Sequence, residues 1–296
     1  MILLFGAGGQ LGRELTRASV ARAVPLVGLA RAEADIADAA AVRDAIGRHA
    51  PSLVVNAAAY TKVDAAESET EAARHSNELG PAVLAAASAA AGVPLVHIST
   101  DYVFDGSKDG AYLEDDPIGP ISAYGQTKAA GEHAVREAAR KHVILRTSWV
   151  YGELGQNFLR TMLRLAATHD ELRVVSDQRG CPTSTADLAA AIVMIAPRLA
   201  ADENVWGTYH YAGGGATTWH GFASRIVAAQ APLTGRTPRV TPIPTRDFPT
   251  PARRPANSVL DCTRFTRVFG FGGRPWTEEA DRVTRAVIRA EERHVA

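Results

Sequence analysis

Ile2-Leu-Leu-Phe5-Gly6-Ala-Gly-Gly9-Gln-Leu-Gly12 is a short apolar run that passes directly into a glycine loop and then into helix-like sequence. Glycines at 6, 9 and 12 give the spacing G-x-x-G-x-x-G. Without a Cβ they permit a tight turn, let backbone approach a pyrophosphate, and let the helix pack closely on the strand. A helix that starts there offers free N–H groups and the positive end of its dipole to phosphates. A glycine triplet alone carries little weight, but strand, loop and helix agree here. Gly6, Gly9 and Gly12 therefore predict a dinucleotide site.

The surrounding sequence continues the pattern. Ile2–Phe5, Pro25–Leu29, Leu53–Asn56, Leu95–Ile98 and Val143–Arg146 read as strands, apolar throughout as in a sheet covered on both faces. Between them Gln10–Ala23, Ala39–His49, Ser76–Ala91 and Ser122–Arg140 read as helices. Such alternation predicts right-handed βαβ units on a parallel sheet, an α/β fold. Beyond about residue 150 the alternation loosens. Helices are expected over Asn157–Thr168, Thr185–Ala196, Thr218–Gln230 and Thr277–Arg293, and a strand over Gly207–Tyr211. The proline- and arginine-rich stretch 232–256 is expected to be mostly irregular. Residues 1–150 thus read as a nucleotide-binding domain. Residues 151–296 read as a smaller lobe over the mouth of the sheet, with some segments returning to the first domain.

Composition narrows the function classes. The 32 basic and 32 acidic residues cancel, and no arginine or lysine cluster suggests nucleic acid. The two cysteines, Cys181 and Cys262, have no metal-ligand spacing and do not make a disulfide framework. No apolar run approaches the roughly 20 residues of a membrane span, and the first residues lack a signal-peptide pattern. A cytoplasmic protein with no nucleic-acid or membrane partner is expected.

Further chemistry falls at the carboxyl ends of the predicted strands, where open α/β sheets bind ligands. After the second strand, Ala30-Arg31 stands where an acid would hold a ribose 2′-hydroxyl. Arg31 suits a 2′-phosphate, or is a surface arginine beside Glu33; Asp35 and Ile36 fall where adenine would lie. Asn56-Ala-Ala-Ala-Tyr60-Thr61 leaves the third strand with side chains small enough for a cofactor to lie close. Ser99-Thr100-Asp101 leaves the fourth strand, bringing two hydroxyls and a carboxylate to the same edge. Tyr124-Gly-Gln-Thr-Lys128 puts a phenol and an ammonium on one helix face. A free tyrosine titrates near about 10, and a nearby lysine would lower that value and make a tunable proton donor.

Together these stretches resemble the extended short-chain dehydrogenase/reductase superfamily, and within it the dTDP-4-dehydrorhamnose reductase family. The resemblance runs through Gly6–Gly12, Val55–Glu67, Ser99–Gly106, Tyr124–Lys128, Arg146–Gly152 (R-T-S-W-V-Y-G) and Arg254–Ser258 (R-P-A-N-S), with Trp219-His220 in the second lobe. It implies a Rossmann-like doubly wound parallel sheet with a smaller C-terminal α/β substrate lobe. It further implies reduction of the C4 keto group of dTDP-6-deoxy-L-lyxo-4-hexulose to dTDP-L-rhamnose. By that resemblance Tyr124 protonates the sugar C4 oxygen, Lys128 lowers the tyrosine pKa and holds the nicotinamide ribose, and Thr100 bonds the sugar, with Asp101 beside it. Gly9, Gln10 and Leu11 would meet the pyrophosphate, and Ala59, Tyr60, Thr61 and Ile98 would line the cofactor. Trp149, Asn157 and Arg254 would contact the substrate, Arg254 as a bidentate clamp on the diphosphate.

The cofactor implied is NADPH, with NADH open because Ala30 leaves out the acid some members carry. Mg²⁺ and a homodimer, known in parts of the family, find no clear carboxylate motif here. Two alternatives share the signature: another nucleotide-sugar reductase or epimerase, and a non-catalytic NADP-binding regulatory subunit. The latter would not require Thr100, Tyr124 and Lys128 together.

Overall fold

Residues 1–201 and 204–295 are described by the structure, a computed structural model. In the first half, strands β1 (Ile2–Phe5), β2 (Leu26–Leu29), β3 (Leu53–Asn56), β4 (Leu95–Thr100) and β5 (His142–Thr147) form where the apolar runs lie. Helix α1 (Gln10–Ala21) starts directly at the glycine loop. Helix α2 (Ala39–His49) is capped by Asp38, whose carboxylate accepts the N–H groups of Ala40 and Ala41. The helix expected from Ser76 instead begins six residues earlier. Short α3 (Thr70–Arg74) passes through one π turn, His75–Leu79, into α4 (Gly80–Ala90). Ser122 caps α5 (Ala123–Ala138) by accepting the Gly125 N–H, which places Tyr124 in the first turn and Lys128 in the next.

The second half contains β6 (Val150–Tyr151), α6 (Phe158–Ala166), β7 (Glu171–Val175), β8 (Arg179–Gly180), β9 (Thr183–Ser184), α7 (Thr185–Ala201) and β10 (Gly207–His210). There follow β11 (Thr217–Thr218), α8 (Trp219–Thr234), β12 (Arg239–Ile243), α9 (Thr263–Phe269) and α10 (Trp276–Val295). The stretch 232–256 is not irregular throughout as expected. Its residues Arg239–Ile243 form β12, which pairs in parallel with β7 from Arg239↔Glu171 to Ile243↔Val175. Pro242 is tolerated because this is a two-stranded sheet, so each strand has a free side where a missing N–H costs nothing.

Six parallel strands make the main sheet in the order β2-β1-β3-β4-β5-β10. The winding reverses between β1 and β3, and such a switch point opens a crevice at the carboxyl ends of the strands. One face is covered by α1, α7 and α9 through Leu11, Leu15, Leu188, Ile192, Phe265 and Phe269. The other is covered by α2, α4 and α5 through Val42, Ile46, Leu84 and Val135. Helix α7 and strand β10 thus belong to the sheet's own core, although they follow residue 150. A separate core, with Leu163, Val174, Phe222, Ile226 and Val283, joins α6, β7, α8 and α10 into the lobe above the crevice. No helix among the described residues is long and apolar enough to cross a membrane.

Candidate active site

A cleft of about 450 Å³ opens between the carboxyl ends of β1, β3, β4 and β5 and the smaller lobe. It gathers Gly9, Gln10, Leu11, Ala59, Thr61, Ile98, Thr100, Asp101, Tyr124, Lys128, Trp149 and Asn157. A second groove of about 260 Å³ shares Gly9 and Ala57–Ala59 with it and continues to Gly6, Arg31, Asp35 and Ile36. The two together run the length of the strand edge. Chain segments separated by more than a hundred residues converge because every strand ends at this edge.

At the deep end, Lys128 is buried and its ammonium donates to the Ile98 carbonyl at 2.7 Å. Burial pulls the ammonium down to about 8, and the carboxylate of Glu132 works in the opposite direction. Tyr124 differs from the sequence expectation. Its phenol is pushed up to about 12, chiefly by burial, with the Thr100 hydroxyl pulling it down and Asp101 pushing it up. Lys128 does not contribute to that value, and its ammonium is held on the Ile98 carbonyl. Thr100 is buried at the end of β4, and its hydroxyl donates to the Asp101 carboxylate at 3.1 Å. Ser148 donates to the other Asp101 oxygen at 3.0 Å. Burial nevertheless raises Asp101 to about 6, ahead of the lowering by Ser258, Ser148 and Thr100.

The glycine loop is built to approach something closely. A Cβ at Gly6 would lie 2.5 Å from the Ala58 nitrogen, and one at Gly12 would lie 2.2 Å from the Gly6 carbonyl oxygen. Gly12 therefore serves the packing of α1 and does not line the cleft. Asn77, in the π turn, accepts the Tyr60 N–H at 2.9 Å and donates to the Tyr60 carbonyl and the Thr127 hydroxyl. It ties the segment after β3 to α5, next to Lys128. The Tyr60 side chain points to Glu69, its hydroxyl donating at 2.8 Å, and Tyr60 lines neither the cleft nor the groove, unlike its neighbours Ala59 and Thr61. At the far end Arg31 pairs with Asp35 at 3.1 Å, while Glu33 accepts the Ala30 N–H. Burial opposes ionisation of Asp35, but the Ala37 N–H, His75 and Arg31 outweigh it and hold the carboxyl low. An arginine and an acid thus share the place where Ala30 supplies neither.

Three cleft residues, Gln10, Thr147 and Trp149, each have a buried polar atom with no protein partner: Gln10 Oε1, Thr147 Oγ1 and Trp149 Nε1. Buried polar groups in proteins are normally hydrogen-bonded. With the glycine cradle, these atoms fit a polar dinucleotide and its co-substrate.

The outer wall is aromatic. Trp149 adopts φ 45°, left-handed backbone that a tryptophan rarely takes, and such strain clusters at functional sites. Its indole stacks on Trp219 with centroids 3.6 Å apart, and Phe158 packs tilted against Trp219. Trp219 is held by its indole N–H, which donates to Gln178 at 3.2 Å. Asn157 lines the cleft, but its amide is engaged: it accepts the Arg160 N–H to cap α6 and donates to the Gly152 carbonyl. Arg254 does not line the cleft. It sits beside Tyr102 with its fork closed on Asp64, at 3.0 and 2.7 Å. A diphosphate would have to displace Asp64 to reach it. Among the described residues, no three His, Cys, Asp or Glu side chains are grouped to hold a metal ion.

Sequence reasoning missed Asn77, Trp219's part in the wall, Thr147 and Gln178. The available signals were Trp219-His220 and, for Thr147, the Arg146–Gly152 stretch; both pointed to the family without placing these residues in the cleft.

Residues 1–288 match the model of the family described as the RmlD substrate binding domain. The dTDP-4-dehydrorhamnose reductase of Sinorhizobium fredii is 45% identical over 285 residues, 96% of each chain. Among solved structures, a dTDP-4-dehydrorhamnose reductase from Clostridium acetobutylicum superposes with a TM-score of 0.89 at 40% identity, covering 97% of this chain and 99% of that one. One from Bacillus anthracis, solved in complex with NADP, superposes with a TM-score of 0.88 at 36% identity, covering 95% of this chain and 97% of that one.

Proposed function

We propose that this chain, which belongs to the RmlD substrate binding domain family, reduces the C4 keto group of dTDP-6-deoxy-L-lyxo-4-hexulose with NADPH, yielding dTDP-L-rhamnose. The observation that carries the reading is the convergence of Thr100, Tyr124 and Lys128 with the Gly9–Leu11 loop and Trp149 in one cleft. The named relatives, and the one crystallised with NADP, support the substrate and the cofactor.

In this reading Gly9, Gln10 and Leu11 hold the pyrophosphate at the start of α1, and Arg31 faces the adenosine end. NADPH, when bound there, would supply the hydride that C4 accepts. Tyr124 enters the reaction protonated, since its phenol titrates far above neutral pH. It gives that proton to the C4 oxygen as negative charge gathers there. Thr100 turns onto the same oxygen the hydroxyl proton that otherwise rests on Asp101, so the acceptor stays beside the donor. Lys128, cationic below about 8 and anchored on the Ile98 carbonyl, holds the nicotinamide ribose beside the phenol. Trp149, backed by Trp219, forms an apolar wall for the sugar and keeps water from it. A cytoplasmic location accords with the unpaired Cys181 and Cys262.

Incubation with NADPH and the 4-keto sugar nucleotide tests the proposal. NADPH should be oxidised with formation of dTDP-L-rhamnose, and Tyr124→Phe should lower turnover by roughly 10²–10⁴ while leaving NADPH binding in place. Tight NADPH binding without turnover in the unmodified protein would favour the regulatory alternative.

A further inference from the structure

We propose that Glu132 is a positioning residue for this reaction, locking the helix that carries Tyr124 and Lys128 to the two strands that carry Thr100 and the lead into Trp149. The inference rests on the function proposed above. Glu132 lies on α5 one turn beyond Lys128 and is fully buried. Its carboxylate accepts the Ser99 hydroxyl at 2.6 Å and the Arg146 guanidinium at 2.8 and 2.7 Å, one bond to each oxygen. Arg136 adds a further bond at 2.7 Å.

The placement of these partners is informative. Ser99 on β4 and Arg146 on β5 are opposite each other in the ladder, so one carboxylate spans both strands. Ser99 also sits between two working residues. Ile98, before it, holds the Lys128 ammonium through its carbonyl, and Thr100, after it, lines the cleft with Tyr124. Two successive residues of β4, Ile98 and Ser99, are thus bonded to α5 and set its height over the sheet. Arg146 is itself fixed, donating to the Glu114 carbonyl at 3.2 Å and lying over the Phe104 ring.

A buried ion pair is a weak source of stability, since desolvation offsets much of the attraction. The network's use is geometric, and a displacement of about 1 Å at a reacting group can cost about a hundredfold in rate. It also has an electrical side. The titratable groups around Glu132 are Lys128 and Arg136 on α5, His97 on β4, Arg146 and His142 on β5, His210 on β10 and Glu114. His97 and His210 are held neutral by burial. Glu132 is the anion that opposes the loss of the Lys128 charge.

Glu132→Gln and Ser99→Ala, assayed with NADPH and the 4-keto sugar nucleotide alongside thermal unfolding, test the inference. Glu132→Gln should lower kcat by about 10–100-fold and move the alkaline limb of kcat/KM to lower pH. Ser99→Ala keeps the charge and the Arg146 pair. It should lower kcat several-fold with the limb in place, and it answers the question even if Glu132→Gln does not fold. Variants that unfold at lower temperature but keep the wild-type kcat and pH profile would overturn the inference alone. An unmodified protein without turnover would overturn the proposed function with it.

Discussion

At the scale of single residues, two ionisable groups dominate the cleft, and both carry pH predictions. Lys128 titrates near 8 and Tyr124 near 12, so the ammonium is lost long before the phenol ionises. The free enzyme's kcat/KM should therefore fall as pH passes about 8. A profile flat to about pH 10 would contradict the assignment of Lys128. Asp101 carries a stability prediction. Its carboxyl binds a proton more tightly folded, near 6, than at its ordinary value of 3.8. Its contribution is thus fully present below 3.8 and is lost as pH rises through about 6. Asp101→Asn removes that loss. Above pH ~7 the variant should gain up to about 3 kcal/mol relative to wild type, measured by denaturant unfolding, and at pH ~4 the gain should vanish. An equal effect at both pH values would show that the carboxyl is not strained by burial.

At the scale of elements, Trp149 depends on what lies beneath it. A Cβ at Gly180 in β8 would fall 2.3 Å from the Trp149 ring. Gly180→Ala should push the indole off Trp219 and raise KM for the sugar nucleotide about tenfold or more, with NADPH affinity little changed. Equal losses for both ligands would argue against Trp149 as a substrate wall. The same region marks how far the sequence could be read. Tyr124, Lys128, Thr100 and the glycine loop were legible because each is a short motif at the end of its own strand or the start of its own helix. The pairing of β12 with β7 was not, because Pro242 reads locally as a breaker and the partner strand lies nearly seventy residues upstream. Arg254 read as a free clamp for the same reason: nothing near it in sequence announces Asp64, 190 residues away. The tyrosine pKa was misjudged in sign because spacing places a lysine on the same helix face without showing that the phenol itself is buried.

At the scale of the whole molecule, the order of the chain and the order of the cores differ. Helix α7 supplies Leu188, Ile192, Val193, Ile195 and Leu199 to the packing over α1, and β10 forms one edge of the main sheet. A chain ended at residue 150 would expose that face of β1, β3 and β5, and each lost large apolar contact is worth about 1.5–3 kcal/mol. It should not unfold cooperatively, as calorimetry would show; a sharp transition would mean that the first 150 residues form a self-sufficient core. The same interlacing constrains how such proteins can be recombined. A crossover near the middle of the gene would graft a foreign strand edge and helix onto the host's nucleotide fold, so exchange of substrate preference between relatives must proceed by separate patches. Those patches are the loops and helices of the upper lobe, swapped while the returning α7, β10 and α9 stay with their original partner.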